Sequence, residues 1–367
     1  MTDPTPETLY VTTTLHGGGA ERLLTNILLR HGAPDRVSVV SLLPGGVFRP
    51  LLEDAGIHVT DLGMIQQRDA VRGLFRLAAL IRHRRPAIVH GWMYHANLLA
   101  FAALMLSGRP RTRLFWGIFC TDFGSSRLHW TFRIVRRLNA MFSRRADGIV
   151  YNAAEARDFH HAIGFHERRS VVISNCIDPT VFRHDPRQRG ALREELGADD
   201  DDVVVAIVAR VDPMKDWSAV RDAVRELPGV ITVAVGKGTD ELPPQAGFIG
   251  LGWRDDIVRI LSGADIFVLG SAFGEGTSLA LNEAMLCGLP CVVTDVGGNA
   301  ALVADGGIVV EPRNIAALRE AIIDLTRDSA LRESLGRAAR ARAAAVVPHD
   351  DTISRLHALS LAREASR

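Results

Sequence analysis

The sequence predicts an α/β protein of two doubly wound parallel-sheet domains facing across a cleft. Short apolar runs alternate with amphipathic helical patterns along nearly the whole chain, as expected when a parallel sheet is covered by helices on both faces. Glycine-rich loops follow apolar strands in both halves, at His16–Arg22 and Gly270–Gly276, where an open α/β sheet presents its ligand crevice. The 367 residues also exceed the ~100–200 of a typical domain. There is no short-period repeat and no low-complexity segment.

Composition narrows the class. At 47% hydrophobic and 23% charged residues, the chain reads as folded and soluble, not disordered. Four cysteines do not make a disulfide framework in a chain of this length. Cys287 and Cys291, with Gly288 and Pro290 between them, read as small buried apolar residues in preference to a metal or redox pair. No run of apolar residues is long enough to cross a bilayer, and the N-terminus is polar and acidic, so a cytoplasmic location is expected. The net charge of +1 hides an asymmetry of +8 over residues 1–185 against −7 over the rest, counted from the sequence. A basic first half either meets something anionic or attracts the second half. Only Lys215 and Lys237 are lysines among 43 basic residues, which marks them as positions where a compact ammonium matters.

In the first half, Leu9–Thr12 is a strand leading into His16-Gly17-Gly18-Gly19-Ala20-Glu21-Arg22 and a helix through Leu23, Leu24, Ile27 and Leu28. This is a phosphate or close-approach loop, or simply a tight turn. A G-x-G-x-x-G fingerprint is absent, and the next strand, Val37–Leu42, has no terminal acid, which disfavours a nicotinamide-linked enzyme. A helix follows over Ala70–Arg82. The strand Ala87–His90 then runs into Gly91-Trp92-Met93-Tyr94-His95-Ala96-Asn97 and a helix to about Met105. Their place at a strand end makes His90, Trp92, His95 and Asn97 candidates for substrate contact, His95 first, although a lone histidine is more often structural. Arg113–Trp116 is a further strand. Ser126–Arg145 holds six arginines and no acid, with Trp130, Ile134, Leu138 and Phe142 at helical spacing. Two readings stand: a core helix with a solvated basic face, or a membrane-surface helix drawn to anionic lipid. Gly148–Tyr151 and Ser170–Ser174 close the first domain.

In the second half, charged residues 183–202 include a short helix near Ala191–Leu196. The run Asp199–Asp202 reads as a solvated turn, not a metal site. The strand Val203–Val208 ends in Arg210 and Lys215, five apart, placing two cations at one crevice, where the bland alternative is surface charge. Val230–Val235 leads to Gly236-Lys237-Gly238. Phe248-Ile249-Gly250 precedes Trp253 and Arg254. Ile266–Leu269 opens the most informative stretch, GSAFGEGTSLALNEAMLCGLP over Gly270–Pro290. A strand, a glycine loop and a helix from about Thr277 aim backbone N–H groups and a helix dipole at one point, which suits a phosphate. Glu275 lies in the loop and Glu283 in the helix. The sheet is expected to end with Pro290–Thr294, and the chain to finish in helices from about Ile315, broken at Pro348.

Glu275, seven residues, Glu283, then Ala284-Met285 and Gly288-Leu289-Pro290, resembles the signature of the family 4 retaining glycosyltransferases, including bacterial enzymes of cell-surface polysaccharide biosynthesis. Ser174-Asn175-Cys176-Ile177-Asp178 is similar to that family's interdomain stretch. The resemblance spans nearly the whole chain. It implies a GT-B fold of two Rossmann-like domains: an acceptor domain over 1–180, onto which a last helix at about 349–367 packs back, and a donor domain over 181–348. It implies that Glu275 meets hydroxyls of the donor sugar and Glu283 the ribose, and that the backbone of Gly276, Thr277, Ser278 and Leu279 meets the diphosphate. Arg210 and Lys215 would stabilise charge on the departing nucleotide, Gly18 and Gly19 would close over the diphosphate, and Arg254 would lie near the nucleobase. Thr277 and Ser278 replace an aromatic and a small residue common in the family. Near Gly117 the family's usual histidine is missing, a role His95 could fill.

The implied activity is transfer of a hexose or N-acetylhexosamine from a nucleoside-diphosphate sugar, UDP ahead of GDP, to a saccharide or lipid-linked acceptor. Neither cofactor nor metal is expected, and no nucleic acid. The alternatives are another GT-B enzyme, such as a sugar-nucleotide epimerase or hydrolase, or a non-catalytic nucleotide-sugar-binding subunit. The location expected is cytoplasmic, with peripheral contact at the inner membrane surface through 126–145.

Overall fold

The computed structural model describes residues 7–65, 69–123, 130–167, 170–199, 201–346 and 355. They form two compact units that divide chiefly at Cys176 and Ile177, with the short segment from Thr121 counted in the second, each built on one parallel sheet.

The first unit runs β1 (Thr8–Thr12), α1 (Gly19–Leu29), β2 (Val37–Ser41), α2 (Arg49–Asp54), β3 (His58–Asp61), α3 (Asp69–Arg84), β4 (Ile88–Trp92), α4 (Tyr94–Ser107), β5 (Arg113–Ile118), α5 (Trp130–Phe142), β6 (Gly148–Tyr151), α6 (Ala154–Ala162) and β7 (Ser170–Val172). The strand order is β3-β2-β1-β4-β5-β6-β7, parallel throughout. β1, β2 and β4 are buried at every residue, because helices cover both faces and leave no reason for alternation. α3, α4, α5 and α6 carry the chain across the sheet in one direction, and α1 and α2 in the other. Right-handed crossovers therefore put the two groups on opposite faces. The order reverses between β1 and β4, and the loops leaving these two strands are the glycine loop before α1 and the turn into α4. The sequence left α2, β3 and α6 unmarked.

The second unit continues with α7 (Pro186–Leu196), β8 (Val203–Val208), α8 (Trp217–Val224), β9 (Val230–Val235), β10 (Phe248–Gly250), α9 (Ile257–Gly263), β11 (Ile266–Leu269), α10 (Leu279–Leu286), β12 (Cys291–Thr294), α11 (Asn299–Val303), β13 (Gly307–Val310), α12 (Ile315–Arg327) and α13 (Ser329–Val346). The order is β10-β9-β8-β11-β12-β13. This corrects the expectation that the sheet ends with Pro290–Thr294. β13 adds a parallel edge, Cys291 to Thr294 registering against Gly307 to Val310. It begins at the second glycine of Gly306-Gly307 and is exposed at Val309, so it lacks the continuous apolar run of an interior strand. The core packs Val205, Ile207, Val268 and Val292 of the sheet against Val220, Leu318 and Ile322 of α8 and α12. The Arg-rich stretch before β8 is used structurally. Arg189 and Arg193 reach Asp265 at 2.8 and 3.1 Å, and Asp265 accepts the Val204 N–H at 2.8 Å, tying α7 to the start of β8.

Among the described residues no helix is long and apolar enough to cross a membrane. Pro348 and the helix expected after about His349 lie outside the described residues, apart from Arg355, which donates to the Val172 carbonyl.

The first unit also buries a polar cluster. Tyr94 is hydrogen-bonded to Nε2 of His160, whose Nδ1 meets the Ala156 carbonyl at 2.6 Å, and the Cys120 thiol donates to the Tyr94 hydroxyl at 3.7 Å. Burial lowers the His160 pKa to about 4. His90, stacked on Tyr10 at 5.2 Å, is lowered to about 3, again by burial, with a hydrogen bond to the Trp116 backbone opposing. Both folded-state values lie below the unfolded one, so unfolded chains take up protons first as pH falls. The stabilisation is complete above about pH 6.5 and is lost between there and about pH 4 for His160 and about pH 3 for His90, at ~1.4 kcal/mol per pH unit for each histidine. Urea unfolding at pH 7, 6 and 5 should show this slope, and His160→Gln should remove one proton's share of it. An unchanged slope in the variant would refute the assignment.

Candidate functional site

In an open α/β sheet the ligand crevice lies at the carboxyl ends of the strands where the order reverses. In the second unit that point is between β8 and β11, and the strongest sequence candidates gather there. β8 leads into Ala209 and Arg210. Gly236, at the end of β9, has φ +141°, and a Cβ there would lie 2.2 Å from the Ala209 carbonyl oxygen, so only glycine lets the two strand exits approach. A single 3-10 turn over Pro213–Lys215 follows, capped by Asp212, which accepts the Met214 N–H at 2.9 Å. The Ala272 N–H donates to the Met214 carbonyl at 2.8 Å, binding this turn to the loop after β11.

That contact brings Lys215 to Glu275. Their ammonium and carboxylate form an ion pair with side chains only 13% and 7% exposed. Ser271, fully buried, donates to the same Glu275 Oε1 at 2.6 Å, and Thr294 at the end of β12 donates to the Ser271 carbonyl at 2.6 Å. The backbone that follows is held just as closely. Gly298 N–H donates to the Gly276 carbonyl at 2.7 Å, and Ser278 N–H to Oδ1 of buried Asn299 at 3.1 Å. Gly297 has φ +62°, and a Cβ there would sit 2.1 Å from the Glu275 carbonyl oxygen. Ser278 is the N-cap of α10, so Leu279 opens the helix and the first-turn N–H groups face the loop without intrahelical acceptors. Glu283 is buried within α10 at 1% exposure. Ser271, Thr294, Gly297 and Asn299 escaped sequence reasoning. The glycine pair Gly297-Gly298 is the signal in the sequence that marks a second loop there.

Other candidates are placed differently. Arg210 is exposed and bonded to Asp212 at 3.2 Å. Arg254 is engaged by the protein itself: its fork meets Asp256 at 2.8 and 2.6 Å and Glu195 at 2.9 Å. Those hydrogen bonds, Asp256 first, raise its pKa further. The four cysteines are buried free thiols. Cys287 is pushed up to about 12 by burial, with the charge of Glu283 adding to it.

In the first unit the matching point lies between β1 and β4. Gly18 is the N-cap of α1 and Gly19 its first residue. Trp92 is buried, its indole N–H donating to the Ala20 carbonyl at 2.7 Å, so it fastens the glycine loop. His90 and Asn97 are buried as well. Met93 links β4 to α4 with φ 73° and ψ 164°, a strained conformation for a residue with a Cβ. His95, in the first turn of α4, is the exposed member of the four candidates. Its ring lies 6.0 Å from Phe132, and desolvation lowers its pKa.

Comparison with known proteins follows this division. Residues 17–181 match the model of Glycosyltransferase Family 4, and 188–342 that of Glycosyl transferases group 1. The chain belongs to the family 4 glycosyltransferases. Over 179 residues it is 31% identical to the Escherichia coli UDP-Gal:alpha-D-GlcNAc-diphosphoundecaprenol alpha-1,3-galactosyltransferase, covering 44% of this chain and 46% of that one. Over 228 residues it is 31% identical to D-inositol 3-phosphate glycosyltransferase of Mycobacterium tuberculosis, covering 57% and 46%. The matches thus span about half the length of these curated relatives. Anabaena HepE, crystallised with UDP and glucose, has a similar fold: TM-score 0.84, 22% identity, 98% of this chain and 100% of that one.

The two signature glutamates are both buried, and Glu275 is answered by Lys215 before any ligand is considered. Removing one partner of a buried pair leaves an uncompensated charge, at a cost of about 3 kcal/mol. Lys215→Met should therefore destabilise the second unit by about that much in urea unfolding, and adding Glu275→Gln should recover ~1 kcal/mol or more of it. Additive losses in the double variant would show that the two groups do not depend on each other.

Proposed function

We propose that this chain is a retaining glycosyltransferase that moves a hexose or N-acetylhexosamine from a UDP-sugar to a saccharide or lipid-linked acceptor, without a metal. The observation that carries this reading is the meeting of Lys215 and Glu275 beside the N-terminus of α10, with Glu283 buried inside the same helix. A diphosphate arriving there finds an ammonium, the Arg210 guanidinium at the exit of β8 and the first-turn N–H groups of α10. Such groups take up the negative charge that grows on the departing nucleotide, the task a metal performs elsewhere. As Lys215 turns to phosphate, Glu275 becomes available to accept sugar hydroxyls, while Ser271 keeps its carboxylate in place. Glu283 is the group proposed for the ribose.

UDP is favoured because the E. coli relative is named for UDP-Gal and HepE was crystallised with UDP and glucose. A lipid-linked acceptor is favoured because that relative's named acceptor is a diphosphoundecaprenol. Gly18 and Gly19 would cover the diphosphate and His95 would meet the acceptor, with Trp92 and Asn97 shaping the turn that presents it. The location proposed is cytoplasmic, at the inner membrane surface.

Thermal unfolding with UDP, GDP, ADP and their sugar conjugates tests the reading. A ligand at a hundred times its Kd stabilises the native state by ~2.7 kcal/mol, so UDP should raise the Tm of the wild type by several degrees and of Lys215→Ala by much less, each against its own baseline. A larger effect of GDP would overturn the UDP assignment. Silence with every nucleotide would overturn the transferase reading. With a turned-over donor, a product of inverted anomeric configuration would overturn retention, and loss of activity in EDTA the metal-free part.

A further inference from the structure

The outer face of one helical layer in the first unit combines exposed apolar side chains with arginines. α3, α4 and α5 pack side by side. Of sixteen large hydrophobic side chains exposed among the described residues, seven lie on these three helices, among them Val71, Phe75, Leu106, Trp130, Ile134 and Met141. The exposure is not marginal: 64% for Val71, 61% for Phe75 and 65% for Trp130. On α5 the positions Trp130, Ile134, Arg137 and Met141 fall within about one-sixth of a turn at the helical repeat, so they form a single stripe. α3 repeats the pattern, with Val71 and Phe75 four apart and Arg72 and Arg76 beside them, all exposed.

The charge on this layer has one sign. The three helices contain seven arginines and a single acid, Asp69, at the first residue of α3. Arg72, Arg82 and Arg137 are exposed and form no ion pair among the described residues. A solvated helix face does not explain large apolar side chains exposed beyond half their area. A second copy of the chain is a poor occupant, because a twofold contact would bring arginines of one face against arginines of the other. A surface that is apolar within and anionic at its boundary satisfies both features: aliphatic and indole side chains enter the boundary, and arginines meet the phosphates.

We propose that the α3–α4–α5 face of the first unit docks on an anionic phospholipid surface. The contact extends beyond the single helix legible in the sequence and takes in α3, which lies two strands away in the chain. The N-terminal ends of the three helices lie at the sheet edge that carries the end of β4, where exposed His95 stands beside Phe132 of α5. Docking therefore brings that edge to the membrane. If the acceptor is lipid-linked, a point that rests on the function proposed above, its head group is delivered to the same edge.

Cosedimentation of the full chain with phosphatidylcholine vesicles, and with mixed phosphatidylcholine and phosphatidylglycerol vesicles, tests the docking without reference to activity. Binding is expected to the mixed vesicles and to weaken as salt is raised. Trp130→Glu combined with Ile134→Glu should lower the affinity by about tenfold or more, and Arg72→Ala with Arg137→Ala should remove much of the salt-sensitive part. Melting followed by circular dichroism shows whether each variant is folded, and the arginine variant, altered only at exposed positions, keeps the test open if the glutamate variant is not. No binding of the wild type to either vesicle overturns the proposal, as does equal binding by folded variants. A wild-type dimer that the same substitutions convert to monomers, without vesicle binding, assigns the face to self-association and also overturns it. Failure of nucleotide binding would leave the vesicle result untouched, so the two readings fail separately.

Discussion

Lys215 and Glu275 meet where water scarcely reaches, and the local structure around the second unit's strand exits follows from that constraint. Neither charge could be desolvated alone at this depth. The pair requires β8 and β11 to end beside each other, and the Met214 to Ala272 hydrogen bond supplies that junction. It also requires the carboxylate to keep one orientation, and Ser271, held in turn by Thr294, supplies it. The Gly297 turn then packs directly on the Glu275 carbonyl. Strands β8, β11 and β12 thus each contribute one support to a single carboxylate, which makes the site a property of the sheet and not of one flexible loop.

The two units use one architecture with different polar interiors. In the second unit two buried charges are paired: Lys215 with Glu275, and Arg193 with Asp265. In the first the buried polar groups are neutral, with Tyr94, His160 and Cys120 in a hydrogen-bonded chain and His90 stacked on Tyr10. The diphosphate proposed for the second unit would need fixed charge near the site's mouth. The uncharged acceptor hydroxyl proposed for the first would need only rigid groups to shape the turn. The strained Met93 linkage and the Trp92 to Ala20 hydrogen bond fit the second requirement, since they fix how the first turn of α4 leaves the sheet.

Where the sequence was legible, the physics was local. Buried parallel strands read as apolar runs, and β1, β4, β8, β9 and β11 all appear where those runs lie. The Glu275 to Glu283 stretch was legible because strand, glycine loop and helix are contiguous in the chain. Short elements were not legible: β13 borrows its stability from β12, and α2 spans only six residues. Supports that arrive from elsewhere in the sequence were hidden too. Nothing in Ser271 or Asn299 alone announces a hydrogen bond to a signature residue, because that depends on how the strand exits converge. Trp92 shows the converse. Its place at a strand end suggested contact with substrate, and only the fold shows its indole turned inward to the Ala20 carbonyl.

Charge is also used differently inside each unit. In the second half arginines meet local acids, Arg189 and Arg193 at Asp265, and Arg254 and Arg259 at Glu195 and Asp256. In the first half the helical layer α3 to α5 has almost no acid with which to do the same. Arg72, Arg82 and Arg137 are exposed there beside exposed apolar side chains and form no ion pair among the described residues. Positive charge and apolar exposure thus coincide on this face of the first unit, and the anionic lipid surface proposed above would account for both at once.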